Sequence, residues 1–185
     1  MKAIIMAGGS GTRLRPLTCG QPKPMLRILD RPVMEYIINL LKRHDITDIS
    51  VTLQYLPDNI QEFFGDGSAY GVKLRYFIEE SPLGTAGSVK NAAGNKKGDF
   101  LVISGDCMTD IDLSAAIAYH KQKKAMATLV LSEVEQPLEY GVVMCDGDGR
   151  IQRFIEKPGW SEVCGNTVNT GIYLLSAGAL SFIPE

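Results

Sequence analysis

The stretch Lys2-Ala3-Ile4-Ile5-Met6-Ala7-Gly8-Gly9-Ser10-Gly11-Thr12-Arg13-Leu14 decides how this chain is read. Its apolar run, residues 2–7, predicts a short buried strand, and the glycines that follow end it. Ligands in open α/β sheets bind beyond the carboxyl ends of strands. A glycine-rich turn there lets a ligand approach the backbone closely, and successive N–H groups can form an anion-binding nest. Two well-known phosphate motifs do not fit. The Walker loop needs Lys and then Ser or Thr after its last glycine, where Thr12-Arg13 stands. The dinucleotide fingerprint needs a third glycine where Leu14 stands. What remains is a phosphate cradle followed by Arg13, a permanently charged fork for phosphate oxygens. Lys23 comes next, held between Pro22 and Pro24, whose rings restrict the backbone and pre-orient it.

Outward from this turn the chain alternates. Residues 32–44 predict a helix: Val33, Ile37 and Leu41 recur at four-residue steps beside Met34 and Ile38, and Pro32 suits a first turn. Residues 49–53 predict a β-branched strand, 57–64 a helix closed by Gly65, and 73–78 a further strand. Residues 85–93 predict a small-residue helix and 100–104 a strongly apolar strand. Residues 113–123 predict a helix whose basic end suits its dipole, and 127–131 another strand. Strand–helix alternation of this kind predicts a parallel sheet with helices on both faces. The remainder differs. Residues 141–145 and 150–155 flank Asp146-Gly147-Asp148-Gly149 and predict a hairpin. That quartet resembles a calcium loop only superficially, since the remaining ligands and the terminal Glu are missing. Residues 168–175 predict a strand, and 176–182 a helix with Ser176 as N-cap. No internal domain boundary is evident.

Composition excludes several classes. The 19 Lys plus Arg against 21 Asp plus Glu leave a net charge of −2, too little for an electrostatically driven nucleic-acid binder. At 45% apolar residues the chain can build a core rather than remain disordered. Its 185 residues fit one domain, 1–185. No stretch reaches the roughly 20 apolar residues of a membrane helix, and the N-terminal run is short for a signal peptide. Cys19, Cys107, Cys145 and Cys164 form no C-x-x-C pair, so a zinc ribbon or redox motif is not indicated and a reducing cytoplasm is expected.

The run Met6-Ala7-Gly8-Gly9-Ser10-Gly11-Thr12-Arg13-Leu14-x-Pro16-Leu17-Thr18, followed by Pro22-Lys23-Pro24-Met25, resembles the signature of sugar-1-phosphate nucleotidyltransferases, or NDP-sugar pyrophosphorylases. The resemblance extends along the whole chain. It implies a Rossmann-like (GT-A-like) α/β fold: a mostly parallel mixed sheet, helices on both faces and a β-hairpin insertion. It also implies the reaction NTP + sugar-1-phosphate ⇌ NDP-sugar + pyrophosphate, with Mg²⁺. Arg13 and Lys23 would be catalytic. Ala7, Gly8, Gly9, Ser10, Gly11 and Thr12 would bind the nucleotide. So would Gln54 and the turn Pro82-Leu83-Gly84-Thr85-Ala86-Gly87, through Pro82, Gly84, Thr85 and Ala86. Asp106, in Ser104-Gly105-Asp106 after the strongest apolar strand, would hold the metal, which takes few protein carboxylates and completes its shell with phosphates and water. Asp110 and Asp112 read as charges at a helix N-terminus. Tyr140-Gly141, Glu156-Lys157 and Asn169-Thr170 would take the sugar phosphate, with Gly141 leaving room for the sugar ring. His44 and His120 read as ordinary surface or helix-end residues without partners.

A sugar-1-phosphate has a second pKa near ~6, so its oxygen is already anionic at neutral pH and no general base is needed. The run Glu79-Glu80-Ser81-Pro82-Leu83-Gly84-Thr85-Ala86-Gly87 is similar to mannose-1-phosphate guanylyltransferases, and Ile37-Ile38-Asn39-Leu40-Leu41-Lys42-Arg43-His44 with Tyr55-Leu56-Pro57-Asp58 resembles the bacterial forms fused to a phosphomannomutase-like region. GTP and mannose-1-phosphate, giving GDP-mannose, are therefore the expected substrates. UTP or dTTP with glucose-1-phosphate stands as the alternative, as does a non-catalytic nucleotide-binding regulatory subunit. No nucleic acid or membrane partner is expected, and a homo-oligomer is left open. Against the family the chain is short, stopping at Ser181-Phe182-Ile183-Pro184-Glu185, before the family's second metal-binding aspartate. A C-terminally truncated catalytic domain with reduced or no activity of its own is expected.

Overall fold

Strand β1 (Lys2–Met6) lies at the centre of the sheet because both of its faces are apolar: Ala3, Ile4 and Ile5 are fully buried. The computed structural model describes residues 1–94, 97–163 and 165–184; Cys164 and Glu185 lie outside the described residues. Two-residue strands β2 (Arg27–Ile28) and β3 (Arg31–Pro32) form a small hairpin before α1 (Val33–Arg43). Then follow β4 (Asp48–Leu53), α2 (Pro57–Phe64), β5 (Lys73–Ile78), α3 (Gly84–Ala93), β6 (Phe100–Ser104) and α4 (Leu113–Lys123). Strands β7 (Ala127–Glu133), β8 (Gly141–Cys145), β9 (Ile151–Glu156) and β10 (Thr167–Leu175) complete the set.

The chain forms two compact units. One comprises Met1–Thr128 with Tyr173–Glu185, the other Leu129–Ile172. This division was not evident from composition, although it follows the change from α/β alternation to hairpin pattern. In the first unit the strands run β5-β4-β1-β6, all parallel. Lys2 pairs with Asp48 on one side and with Phe100 on the other. The chain thus builds outward from β1 through β4 to β5, then returns through α3 to the opposite side of β1. Strand order reverses between β1 and β6, which places a crevice beyond their carboxyl ends. Helix α3 covers one face: Val89, Ala92 and Ala93 pack with Ile4, Phe100 and Val102.

The helices end where their sequence dictates. In α1, Val33, Met34, Ile37, Ile38 and Leu41 are buried as the spacing predicts. Pro32 takes the N-cap position with extended backbone rather than entering the first turn. Gly65 ends α2 at φ 54°, ψ −137°, a conformation that a side chain would strain. At the start of α4, Asp112 accepts a hydrogen bond from the Ala115 N–H at 2.9 Å, so this residue is a true cap. Asp112→Ala should therefore lower unfolding stability by about 1 kcal/mol, measurable by urea denaturation. The segment after β10 is a 3-10 helix, Ala177–Phe182, and Ser176 makes no side-chain cap bond there, contrary to the sequence expectation.

The histidines are also corrected. His120 is only 2% exposed, with Nδ1 2.7 Å from the Thr128 hydroxyl and Nε2 3.9 Å from Asp99. His44 lies with Nδ1 2.8 Å from the Ser114 hydroxyl, tying the end of α1 to α4. Their partners come from other elements, which local sequence does not reveal.

In the second unit β8 and β9 form the expected antiparallel hairpin, with an irregularity at Met144/Cys145. Strand β10 pairs antiparallel with β8 at Val168↔Val142. Asp146 holds the turn, accepting from the N–H groups of Asp148 and Arg150 at 3.1 and 2.9 Å. The quartet is thus a hairpin turn. Among the described residues no helix is long and apolar enough to cross a membrane.

Candidate active site

The glycine-rich turn emerges from β1 at the point where strand order reverses. Gly11 has φ 59°, and a Cβ there would lie 3.0 Å from the Thr18 methyl, so the turn needs glycine on two counts. The Thr18 hydroxyl donates to the Gly11 carbonyl at 2.8 Å, and Tyr55 Oη donates to the Thr18 carbonyl at 3.0 Å. These bonds fix the far end of the turn against the residues that follow β4. Arg13 sits in a 3-10 turn, Thr12–Leu14, with its side chain exposed. Lys23 opens a second 3-10 turn, Lys23–Met25, between buried Pro22 and Pro24.

At the end of β6 the Gly105 N–H donates to the Met6 carbonyl at 2.7 Å. A Cβ on Gly105 would sit 2.9 Å from that same oxygen, so only glycine lets the two strand ends close together. This closeness carries Asp106 to the glycine turn. The Asp106 carboxylate pairs with the Lys23 ammonium and accepts a hydrogen bond from the Ser104 hydroxyl. Burial pushes the Asp106 carboxyl up, but the Lys23 and Ser104 hydrogen bonds and the Lys23 charge outweigh it. The net effect holds Asp106 below the usual carboxylate value.

A cavity of about 240 Å³ gathers these groups: Ala7, Gly9, Gly11, Thr12, Arg13, Lys23 and Asp106 all line it. A second, of about 300 Å³, is lined by Gly8, Gly9, Gln54, Pro82, Gly84 and Thr85. The two share Met6, Gly9 and Ser104, so they are adjoining halves of one cleft. Ser10 belongs to the glycine turn and Ala86 to the start of α3, without lining either half. The second half also contains Thr52, Glu79 and Ser88, to which sequence reasoning gave no role. Glu79 stands within the quoted run, yet nothing in its spacing separates it from exposed Glu80.

The remaining predicted residues belong to the second unit. Gly141 pairs with Glu156 across the hairpin, and the Lys157 N–H donates to the Tyr140 carbonyl at 3.0 Å. Lys157 has φ 45°, uncommon for a residue with a side chain. A Cβ on Gly141 would lie 2.6 Å from Phe154 Cζ and 2.8 Å from Glu156 Oε2. The space this glycine leaves is thus taken by those two side chains. Asn169 accepts from the Gly171 N–H at 3.1 Å, and the Thr170 hydroxyl donates to the Val130 carbonyl at 2.7 Å.

A parallel sheet with a glycine turn, two cations and a carboxylate at its reversal point defines an α/β protein of the Rossmann-like kind. The chain belongs to the nucleotidyl transferase family, whose sequence model matches residues 2–185. It is 39% identical to a UTP–glucose-1-phosphate uridylyltransferase of Synechocystis sp., over all of this chain and 51% of the relative. It is 34% identical to a mannose-1-phosphate guanylyltransferase of Mycobacterium tuberculosis, over 99% of this chain and 51% of the relative. The crystal structure of HddC from Yersinia pseudotuberculosis complexed with GMP-PN matches with a TM-score of 0.84 at 28% identity. That match covers all of this chain and 80% of the other. The chain spans about half the length of the curated relatives it matches.

Proposed function

We propose that this chain carries the nucleotide site of a sugar-1-phosphate nucleotidyltransferase, with GTP and mannose-1-phosphate as substrates and GDP-mannose and pyrophosphate as products. The observation that carries the reading is the cleft at the reversal point, where Gly11, Arg13, Lys23 and Asp106 line one cavity. The anionic oxygen of the sugar phosphate attacks the α-phosphorus in line. A P–O bond forms there as the bond to the departing pyrophosphate breaks. No proton need be removed, so the barrier lies in bringing anions together and holding charge on the α-phosphoryl group and pyrophosphate. Arg13 supplies a two-point contact to phosphate oxygens, and the glycine turn supplies N–H donors. Lys23 leaves Asp106 to meet a phosphate. In the second unit, Lys157 binds the sugar's phosphate, while Tyr140, Glu156, Asn169 and Thr170 contact the sugar and Gly141 leaves room for the Glu156 side chain.

Asp106 fits a magnesium ligand. Among the described residues it is the carboxylate lining the cavity with Arg13 and Lys23, its pKa held low, and Mg²⁺ typically takes one or two carboxylates and leaves its other positions to phosphate and water. When bound, Mg²⁺ would supply positive charge against the triphosphate.

UTP with glucose-1-phosphate is the second reading, favoured by the 39% identity to the uridylyltransferase. Thermal unfolding with GTP, UTP, dTTP, ATP or CTP and Mg²⁺ tests both. A nucleotide at 100 times its Kd should stabilise the fold by about 2.7 kcal/mol. The largest shift is expected for GTP. A largest shift with UTP selects the second reading, and no shift with any of the five contradicts a nucleotide site.

A further inference from the structure

The two oxygens of Asp106 are held by groups of different kinds. Ser104 is the last residue of β6 and lies in register with Met6 of β1, so the sheet fixes its backbone. The chain then turns back, and the Cys107 N–H donates to the Ser104 carbonyl at 3.1 Å. Across this same turn the Ser104 hydroxyl donates to Asp106 Oδ1. The Lys23 ammonium pairs with Oδ2. Ser104 thus grips the carboxylate from the strand itself, through the shortest of hydroxyl side chains. Lys23 reaches it from a separate segment, on a flexible four-carbon stem.

This difference matters to a cation. The torsion that turns a carboxylate about its last bond is broad and two-fold, so an aspartate by itself does not decide which oxygen it presents. With Oδ1 tied to the strand, Oδ2 is the oxygen left to exchange its partner. The Asp106 side chain is 27% exposed, so the exchange is open to a small ion. Ser104, Lys23 and Asp106 all line the cavity that contains Arg13. Lys23 can therefore give up Oδ2 without disturbing the bond at Oδ1, and it remains in the same cavity when it does.

We propose that Ser104 is a positioning residue for the divalent cation, its hydroxyl fixing Asp106 Oδ1 so that Oδ2 is the oxygen presented to the metal. The inference rests on the reading of Asp106 as the metal ligand, and it names the residue that aims that ligand. Groups that hydrogen-bond a metal's ligands are typically worth about 10–100-fold in metal affinity.

Titration calorimetry of the full chain with GTP and with UTP, each in Mg²⁺ and in EDTA, tests it. Coupling between two bound ligands is reciprocal, so the gain in nucleotide affinity brought by Mg²⁺ reports how well the site holds the metal. Ser104→Ala should cut that gain by about 10-fold and leave the affinity in EDTA unchanged. Ser104→Thr keeps the hydroxyl and should restore the gain, whereas Asp106→Asn should abolish it. A serine that only supported the fold would lower the melting temperature and both affinities together. One that touched the nucleotide directly would weaken binding in EDTA as much as in Mg²⁺. Either pattern, or an undiminished gain in Ser104→Ala, overturns the proposal while Asp106 stands as the ligand. A gain that survives Asp106→Asn, or no gain in the parent, overturns the metal reading and the proposal together, as does binding of neither nucleotide.

Discussion

In an active enzyme bearing this chain, Arg13→Ala is expected to slow pyrophosphate release by about 10²–10³-fold, the usual loss on removing one transition-state donor. The side chain is exposed at the cavity and has no structural duty in the core. Its replacement should therefore leave the melting temperature close to that of the parent. Arg13→Lys should recover only part of the rate, because an ammonium is a point charge and lacks the planar fork. Lys23 is the less clean probe. Its removal would also strip Asp106 of its ion-pair partner, so rate and stability would fall together. An Arg13→Ala enzyme with undiminished turnover would remove Arg13 from the chemistry.

Phe100→Ala should be the most damaging change to the fold. The side chain is 1% exposed and is the largest of the fully buried set. It packs with Ile4, Val89, Ala92, Ala93 and Val102, where α3 meets the sheet. Truncating a buried Phe costs about 3–5 kcal/mol, against a typical total of about 5–15 kcal/mol for a domain. Urea unfolding should show a large drop in midpoint, and Phe100→Leu should restore most of it. Because Phe100 begins the strand whose far end carries Asp106, the same variant should weaken nucleotide binding without touching the cleft. A stability change below ~1 kcal/mol would mean that this face of the sheet is held by other contacts.

Much of this architecture was legible in the sequence because its signals are local. The bounds of α2, β5, β6 and α4 fall where apolar runs meet glycine, proline or a capping aspartate. The glycine turn could be placed because it directly follows a buried strand. What escaped depends on distant partners. Strands β2 and β3 have two residues each, too few to carry a period, and the Val33 N–H to Leu26 carbonyl bond at 2.9 Å spans their hairpin. The burial of His120 depends on Thr128 and Asp99, and the ion pair of Lys23 depends on β6 docking beside β1. Glu79 looks like any charged residue in a turn until the packing shows one oxygen without a donor.

The parallel pairing of β1 with β6, Lys2 against Phe100, has a consequence for how the chain is made. The glycine turn is synthesised well before the strand that completes its cleft. Such non-local pairing is slow to form, because the intervening chain must first be brought into register. Until β6 docks, that edge of β1 is open and apolar. That edge is thus open to non-native pairing until β6 has been made and has docked.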